Sequence, residues 1–501
     1  MIPPRIILAG LACLCPFSLA QKLKSDPNKT LIIISTSDIH GNLDKLPKLA
    51  TLVKQYRAKY PHVLLVDSGD YFMGNPYVDE WEKRGEPLTI LMNKLGYDLA
   101  TVGNHDLDYG QEALRDHIKG MPRTKFVLTN VNASPALTNC FSPYVSIPLK
   151  GTPISVGFIG LADLQTTDVR RMGGISWKLP DEDDYKSIMD RFRLHHNTIN
   201  IILSHLGYEH DMKMMRYSPN IDVILGGHTH VMLPNGQLKT GTLLSHTGHR
   251  LSHAGVTEIT FSTEKPVSIL SKSTKAIELN GKIPDDPEEE KLVQKFTGNP
   301  LFKQQVGVAG EDLTHVTIGT IFCKAIQQAS NADVAIYNRG GVRAKSHLCK
   351  GPITIKDIYE MEPFREKIVT CSMSKADIEQ LILSKFMSPS EDEGGILEVY
   401  CSGFSYQIMD GVTPSISSTL KNNMVYTVAM GDYLCNNFKF PQRGNGKPTG
   451  IKVREALITY LKQIKELFNP PPPKLPAHHQ DEHLRPVTPH RNCMPQRGRM
   501  D

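Results

Sequence analysis

Five short polar clusters in this 501-residue chain carry amide, imidazole and carboxylate side chains at spacings suited to metal or phosphate contacts. They are Asp38-Ile39-His40, Asp67-Ser68-Gly69-Asp70, Gly103-Asn104-His105-Asp106-Leu107-Asp108, Ser204-His205-Leu206-Gly207 and Gly226-Gly227-His228-Thr229-His230. Any one alone could be a turn or a helix cap, since Asn, Asp, His and Gly also serve there. Five of them, each just after an apolar, β-prone run, point to a single site fed by several strand ends. Asp, His and Asn are hard-to-borderline ligands suited to Zn, Mn, Fe, Co or Mg, and a carboxylate can bridge two ions. Asp38, His40, Asp70, Asn104, His205, His228 and His230 together supply ligands for two divalent ions. Two ions roughly 3.5–4 Å apart would polarise a phosphoryl oxygen and generate a bound hydroxide for in-line attack. His105 adjoins a ligand without needing to be one.

The elements that must position these clusters alternate in type. Thr30–Ser35 reads as a strand, Leu46–Tyr60 as a helix and Val63–Val66 as the next strand. The rhythm continues through the Leu88–Leu95 helix and the strand Leu99–Val102, then Phe126–Leu128, Ile154–Ile159, Ile199–Leu203 and Ile221–Leu225. This is a layered α/β domain, and such sheets gather their sites at strand ends. Val256–Phe261 and Val267–Leu270 add two strands. The charged run Pro284–Lys291 then leads into a helix near Leu292–Phe296, which reads as a linker spanning 284–307 after a first domain of 21–283. A smaller α+β domain over 308–468 opens with a helix at Thr317–Ala329 and a strand Asp333–Tyr337. It closes with Val453–Phe468, whose apolar residues fall on one helical face. The Pro-, His- and Arg-rich stretch 469–501 lacks the apolar content to fold and reads as a disordered tail.

Length favours two domains. The 57 basic and 52 acidic residues give a formal charge of +5, too mild to argue for a nucleic-acid partner. Arg5, the apolar run Ile6–Leu19 and Ser18-Leu19-Ala20 read as a signal peptide over 1–20, and hence a secreted protein, extracellular or periplasmic. No segment reads as a stable membrane span. Seven cysteines follow Ala20, an odd number whose pairing the sequence does not give. Asn28-Lys29-Thr30 and Asn132-Ala133-Ser134 are glycosylation sequons.

Asp-x-His, Gly-Asp, Gly-Asn-His-x-x-Asp, Ser-His and Gly-His-Thr-His, in that order, resemble the motifs of the calcineurin-like metallophosphoesterases. Asn338-Arg339-Gly340-Gly341-Val342-Arg343, Gly351-Pro352-Ile353-Thr354 and Glu362-Pro363-Phe364 resemble the C-terminal domain of the secreted 5'-nucleotidases, a family that includes UDP-sugar hydrolases and cyclic-nucleotide phosphodiesterases. The resemblance runs from about Leu31 to Phe468. It implies a layered β-sandwich flanked by helices, then the smaller domain, with dimetal-dependent hydrolysis of nucleotide phosphate esters between them. It further implies that Asp38, His40 and His230 hold one metal, that Asn104, His205 and His228 hold the other, and that Asp70 bridges them. His105 would stabilise the phosphoryl transition state, oriented by Asp108 rather than Asp106. Asn338 and Arg343 would hold the base and phosphate, while Phe364 and Tyr433 would stack on the base.

Two departures bear on substrate. Relatives follow the second aromatic with Ala-Asn-Gly-Gly-Asp-Gly, where this chain has Cys435-Asn436-Asn437-Phe438-Lys439-Phe440, so that Lys439 stands at the position of a ribose-binding Asp. The segment Asp312–Gly319 lacks an arginine many relatives carry. Nucleoside di- or triphosphates, UDP-sugars and cyclic nucleotides therefore stay open as substrates, as does a secreted nucleotide- or host-factor-binding protein with little turnover. Oligomeric state is not legible.

Overall fold

A computed structural model of the chain describes residues 26, 29–217, 220–343, 347–384, 386–387, 396–409, 415–464 and 466–468. The proposed signal peptide and the proposed tail lie outside the described residues.

Two six-stranded sheets form the first domain. One runs Ser268–Glu278, His253–Ser262, Thr30–Thr36, His62–Asp67, Leu99–Ala100, Lys125–Phe126; the other runs Gln237–Lys239, Thr242–His246, Val223–Gly226, Ile199–His205, Ser155–Ala162, Val145–Pro148. Each has four parallel strands; the first adds an antiparallel hairpin at one edge, the second one antiparallel strand at each edge. Strand alternation sorts the apolar residues. Leu31 and Ile33 meet Phe158, Ile201 and Leu203 between the sheets, while Ile32 and Ile34 face the helical layer. On the second sheet Ile202 and Ile224 turn outward beneath the helices Glu182–His195 and Tyr208–Tyr217. Each such side chain contributes about 1.5–3 kcal/mol by leaving water. The result is helix, sheet, sheet, helix, the layered architecture expected.

The helix Leu46–Lys59 forms because Leu46, Leu49, Ala50 and Val53 recur at helical spacing and Pro47 sits in its first turn, where a missing N–H costs nothing. Gly96, at φ +72°, ends the helix Glu86–Leu95 by accepting the left-handed cap conformation. The second domain is built on a five-stranded sheet ordered Val399–Ser402, Val334–Asn338, Val425–Gly431, Lys367–Ser374, Lys447–Lys452. The helices His315–Ser330 and Val453–Gln463 pack together on it.

One expected element ends early. The closing helix stops at Gln463 instead of reaching Phe468. Leu467 N donates to Val308 O at 3.0 Å and Leu467 O accepts from Gly310 N at 2.9 Å, so the chain leaves the helix to bond with the strand Gln305–Ala309. Phe468, placed on the buried face by periodicity, is 58% exposed.

The halves are joined by apolar and ionic contacts. Phe302 packs edge-on between Tyr77 and Tyr359, with ring centroids at 5.1 and 5.5 Å. Glu80 accepts from Arg365 at 2.8 and 2.6 Å and from Arg454 at 2.8 Å. Cys349 is disulfide-bonded; Cys140, Cys323, Cys371, Cys401 and Cys435 are free thiols. Among the described residues no helix is long and apolar enough to cross a membrane.

Candidate metal centre

All five polar clusters stand where parallel strands end. Asp38 and His40 follow Thr30–Thr36, Asp70 follows His62–Asp67, Asn104 and His105 follow Leu99–Ala100, His205 ends Ile199–His205, and His228 and His230 follow Val223–Gly226. Asp38, His40, Asp70, His228 and His230 all adopt positive φ, from +47° to +75°. Left-handed backbone at non-glycine residues costs about 1–3 kcal/mol each and persists where surrounding structure enforces it, which is typical of functional sites.

Two groups of side chains converge. Asp38, His40 and His230 form one and Asp70, His205 and His228 the other, each with ligand atoms within 4.8 Å of one another. Within the first group His40 Nε2 lies 3.2 Å and Asp38 Oδ1 3.5 Å from His230 Nε2, and within the second His205 Nε2 lies 3.1 Å from Asp70 Oδ2. The distances from His40 Nε2 to Asp70 Oδ2 (3.9 Å) and from His205 Nε2 to Asp38 Oδ1 (4.0 Å) leave Asp70 and Asp38 between the groups. Backbone carbonyls fix the tautomers. His40 Nδ1 faces Met73 O at 3.0 Å and Phe72 O at 3.2 Å, and His205 Nδ1 faces Ser68 O at 2.7 Å. Each Nδ1–H donates outward, which points each Nε2 at the centre.

The electrostatics are those of a cation site. Burial lowers His228 to about 3 and His230 to about 2, so both imidazoles are neutral at pH 7. Burial also opposes a charge on His205, but Asp70 and Asp38 outweigh it and raise its pKa to about 10. Burial pushes Asp38 up to about 6 even though His205 draws it down. Burial works against the Asp70 carboxylate too, yet His205, His105 and His40 hold it well below the usual range.

The donor set fits two divalent ions. His40 Nε2 and His230 Nε2 face each other across 3.2 Å, close enough for one cation to take both. Asn104 Oδ1 is buried with no hydrogen-bond partner. Neutral imidazoles, carboxylates and an amide oxygen form a mixed N/O set suited to borderline and hard metals. With its pKa raised to about 10 beside Asp70 and Asp38, His205 carries a proton that must leave as an ion enters, so affinity should rise with pH.

His105 stands beside this centre. Its N–H donates to Asp70 Oδ1 at 2.8 Å, its Nδ1 lies 2.6 Å from Asp108 Oδ2, and its ring centroid lies 5.4 Å from that of His40. Asp106 faces the other way. Its carboxylate accepts from the backbone N–H groups of Gly103 (2.8 Å), Asp70 (2.9 Å) and Tyr71 (2.8 Å), stitching two ligand-bearing loops together. Asp67, in the same loop as Asp70, is no part of the cluster: Thr36 Oγ1 and Gly69 N donate to it, and burial raises it to about 8.

The second domain brings Arg343 and Phe364 to this rim. Arg343 Nη2 donates to His40 Nε2 at 3.2 Å, and Phe364 lies tilted over His105 with centroids 5.7 Å apart. Asn338, at the end of Val334–Asn338, is buried with its Oδ1 unpartnered. Tyr433 is carried by the short helix Asp432–Asn437, which meets the first domain. Tyr433 OH donates to Thr166 O at 3.2 Å, Val169 N to Asn437 Oδ1 at 3.2 Å, and Arg170 Nη1 to Asp432 Oδ2 at 2.7 Å. Lys439 lies just beyond the helix Asp432–Asn437. It is exposed between Phe438 and Phe440, which anchor in the core.

Sequence reading missed a sixth strand end. Thr242–His246 is followed by His249, whose ring stacks on His230 at 4.5 Å and 13°, and by Arg250, whose N–H donates to Asp38 O at 2.7 Å. It also missed a buried network behind the ligands, in which Asp211 accepts from Ser204 Oγ at 2.5 Å and His246 Nε2 at 2.8 Å. Extending the strand-end rule to the run Thr242–His246 would have found His249 and Arg250.

The family model for calcineurin-like phosphoesterases matches residues 31–232, and that for the 5'-nucleotidase C-terminal domain matches residues 296–440. The chain is 23% identical over 428 residues to the trifunctional nucleotide phosphoesterase protein YfkN of Bacillus subtilis, covering 73% of this chain and 28% of that one. It is 24% identical over 398 residues to the 5'-nucleotidase of Bos taurus, covering 67% and 68%. The chain thus spans little more than a quarter of the length of the first of these relatives. The crystal structure of a 5'-nucleotidase precursor from Thermus thermophilus shares the fold, with a TM-score of 0.77, 23% identity and coverage of 88% of this chain and 97% of that one.

Proposed function

Because the chain belongs to the calcineurin-like phosphoesterases that carry a 5'-nucleotidase C-terminal domain, we propose that it is a secreted, metal-dependent hydrolase of nucleotide phosphomonoesters. The observation that carries this reading is the facing pair of ligand groups, Asp38–His40–His230 and Asp70–His205–His228, with His105 at their edge.

In this reading Asp38, His40 and His230 hold one ion, Asn104, His205 and His228 hold the other, and Asp70 lies between. When bound, the ions would polarise a phosphoryl oxygen and lower the pKa of the attacking water. The chain's own residues do the rest. The Asp108 carboxylate takes the Nδ1–H of His105 and so fixes the ring and its tautomer. Nε2 is then the atom that can donate a proton to a phosphoryl oxygen or to the leaving oxygen, where charge grows in the transition state. Arg343 leaves its contact with His40 Nε2 to pair with the phosphoryl group. Phe364 and Tyr433 stack on the base, and the free Oδ1 of Asn338 accepts from it. The domain limits 21–283 and 308–468 and the N-terminal signal over 1–20 belong to the same proposal, supported by the family matches and the apolar run Ile6–Leu19.

Phosphate release from AMP, ADP, ATP, UDP-glucose and cyclic AMP, with and without chelator, tests it. Chelator-sensitive release that is fastest from AMP supports the reading. Release that ignores chelator, or none from any nucleotide, contradicts it.

A further inference from the structure

Two guanidiniums approach the His40 loop, one from each domain, and only one belongs to the nucleotide-binding residues already placed. Arg343 reaches His40 Nε2 from the second domain. Arg250 comes from the first, on a backbone held at φ +52° with Leu251 at φ +53° beside it. Consecutive left-handed residues without glycine are costly, so the surrounding structure must enforce this position. The Arg250 N–H bond to Asp38 O ties it to a ligand loop.

The head group lies against Gly74. A Cβ built on Gly74, which has φ +125°, would sit 2.9 Å from Arg250 Nη2, 3.6 Å from its Cζ and 3.2 Å from His40 O. The glycine leaves the space that the guanidinium fills beside His40. Among the described residues no carboxylate pairs with Arg250 and no acceptor hydrogen-bonds to its side chain. Burial weakens the charged form of Arg343, Asp70 restores it, and Arg250 works against it. Like charges near enough to act on one another in a low-dielectric site repel, and an anion taken up between them relieves that repulsion.

We propose that Arg250 is a specificity-determining residue that completes, with Arg343, a two-guanidinium clamp for the dianionic phosphoryl group of a phosphomonoester and selects it over monoanionic phosphodiesters. This rests on the phosphoester reading above. A terminal phosphoryl group offers three non-bridging oxygens and a second negative charge, which two forked guanidiniums can share. A diester has one charge and two such oxygens, so the second guanidinium gains less from it.

The test compares wild type with Arg250→Met, which keeps length but not charge, and Arg250→Lys, which keeps charge but not the fork. Thermal melts check folding. On metal-loaded protein, kcat/KM is measured for 4-nitrophenyl phosphate and bis(4-nitrophenyl) phosphate, and the Kd for inorganic phosphate by calorimetry. Arg250→Met should lower the monoester-to-diester ratio about tenfold or more and weaken phosphate binding about tenfold, with Arg250→Lys in between. Equal losses on both esters with unchanged phosphate affinity overturn the clamp while leaving the hydrolase reading intact. Arg250-dependent phosphate binding by a wild type that hydrolyses neither ester keeps the clamp and overturns the hydrolase reading.

Discussion

His105 Nδ1 sits 2.6 Å from Asp108 Oδ2, and the His105 N–H donates to Asp70 Oδ1 at 2.8 Å. One short turn thus fixes the imidazole by its ring and its backbone at once, beside the ligand groups but outside them. His105→Asn should cut turnover by about two orders of magnitude or more with metal content nearly unchanged. Asp108→Asn, which loosens the ring without removing it, should cost about tenfold or more. Steady-state rates with elemental analysis of the same samples check both. Loss of metal in step with activity would place His105 among the ligands.

Phe364 and Tyr433 come from the second domain, so recognition can be separated from chemistry. Alanine at either should weaken nucleotide binding by about 1–3 kcal/mol. Hydrolysis of 4-nitrophenyl phosphate, which has no base to stack, should stay near normal. Parallel losses on both substrates would deny the stacking role.

Asp106 should matter for stability before chemistry. Asp106→Ala strips an acceptor from the Gly103, Asp70 and Tyr71 N–H groups, at about 1–3 kcal/mol for each buried donor left unpaired. Denaturation midpoints should fall and metal retention with them, while Asp106→Asn, which keeps one carbonyl oxygen, should recover part of both. A variant of normal stability would show that these loops do not depend on the carboxylate.

Glu366 gives a pH signature. Burial, then Asp432, pushes its carboxyl up to about 8. Tyr337 OH donates to its Oε1 at 2.9 Å, which a glutamine oxygen can also accept. An unfolded glutamate releases its proton near pH ~4.5, so between there and pH ~8 the native state holds a proton that the unfolded state has lost. The stabilisation is therefore full below the lower pH and declines as pH rises through the higher one. Glu366→Gln removes that decline, and its Tm relative to wild type should improve by about 2–4 °C from pH ~5 to pH ~8.5. Parallel Tm profiles would show that the carboxyl is ionised throughout.

The strand ends were legible because short, continuous apolar runs rich in Val, Ile and Leu are a local signal and the polar residues after them are contiguous. Asp38, His40, Asp70, Asn104, His205, His228 and His230 could be read that way without knowing how the sheets stack. What depends on contacts far along the chain was hidden. Nothing near Leu467 announces its bonds to the strand Gln305–Ala309, so helical periodicity ran on past Gln463. Arg250 lies 176 residues from Gly74 in sequence, and only the fold sets its guanidinium there.

The central claim is that the two facing ligand groups hold two ions and that hydrolysis depends on both. The direct measurement is metal stoichiometry taken alongside AMP hydrolysis as one chelated sample is titrated with Zn or Mn. Activity should be absent after chelation, return as ions are added, and reach its plateau at two per chain, with His230→Ala and His228→Ala each retaining fewer. AMP hydrolysis that survives chelation, or a plateau reached with no more than one ion bound, would contradict it.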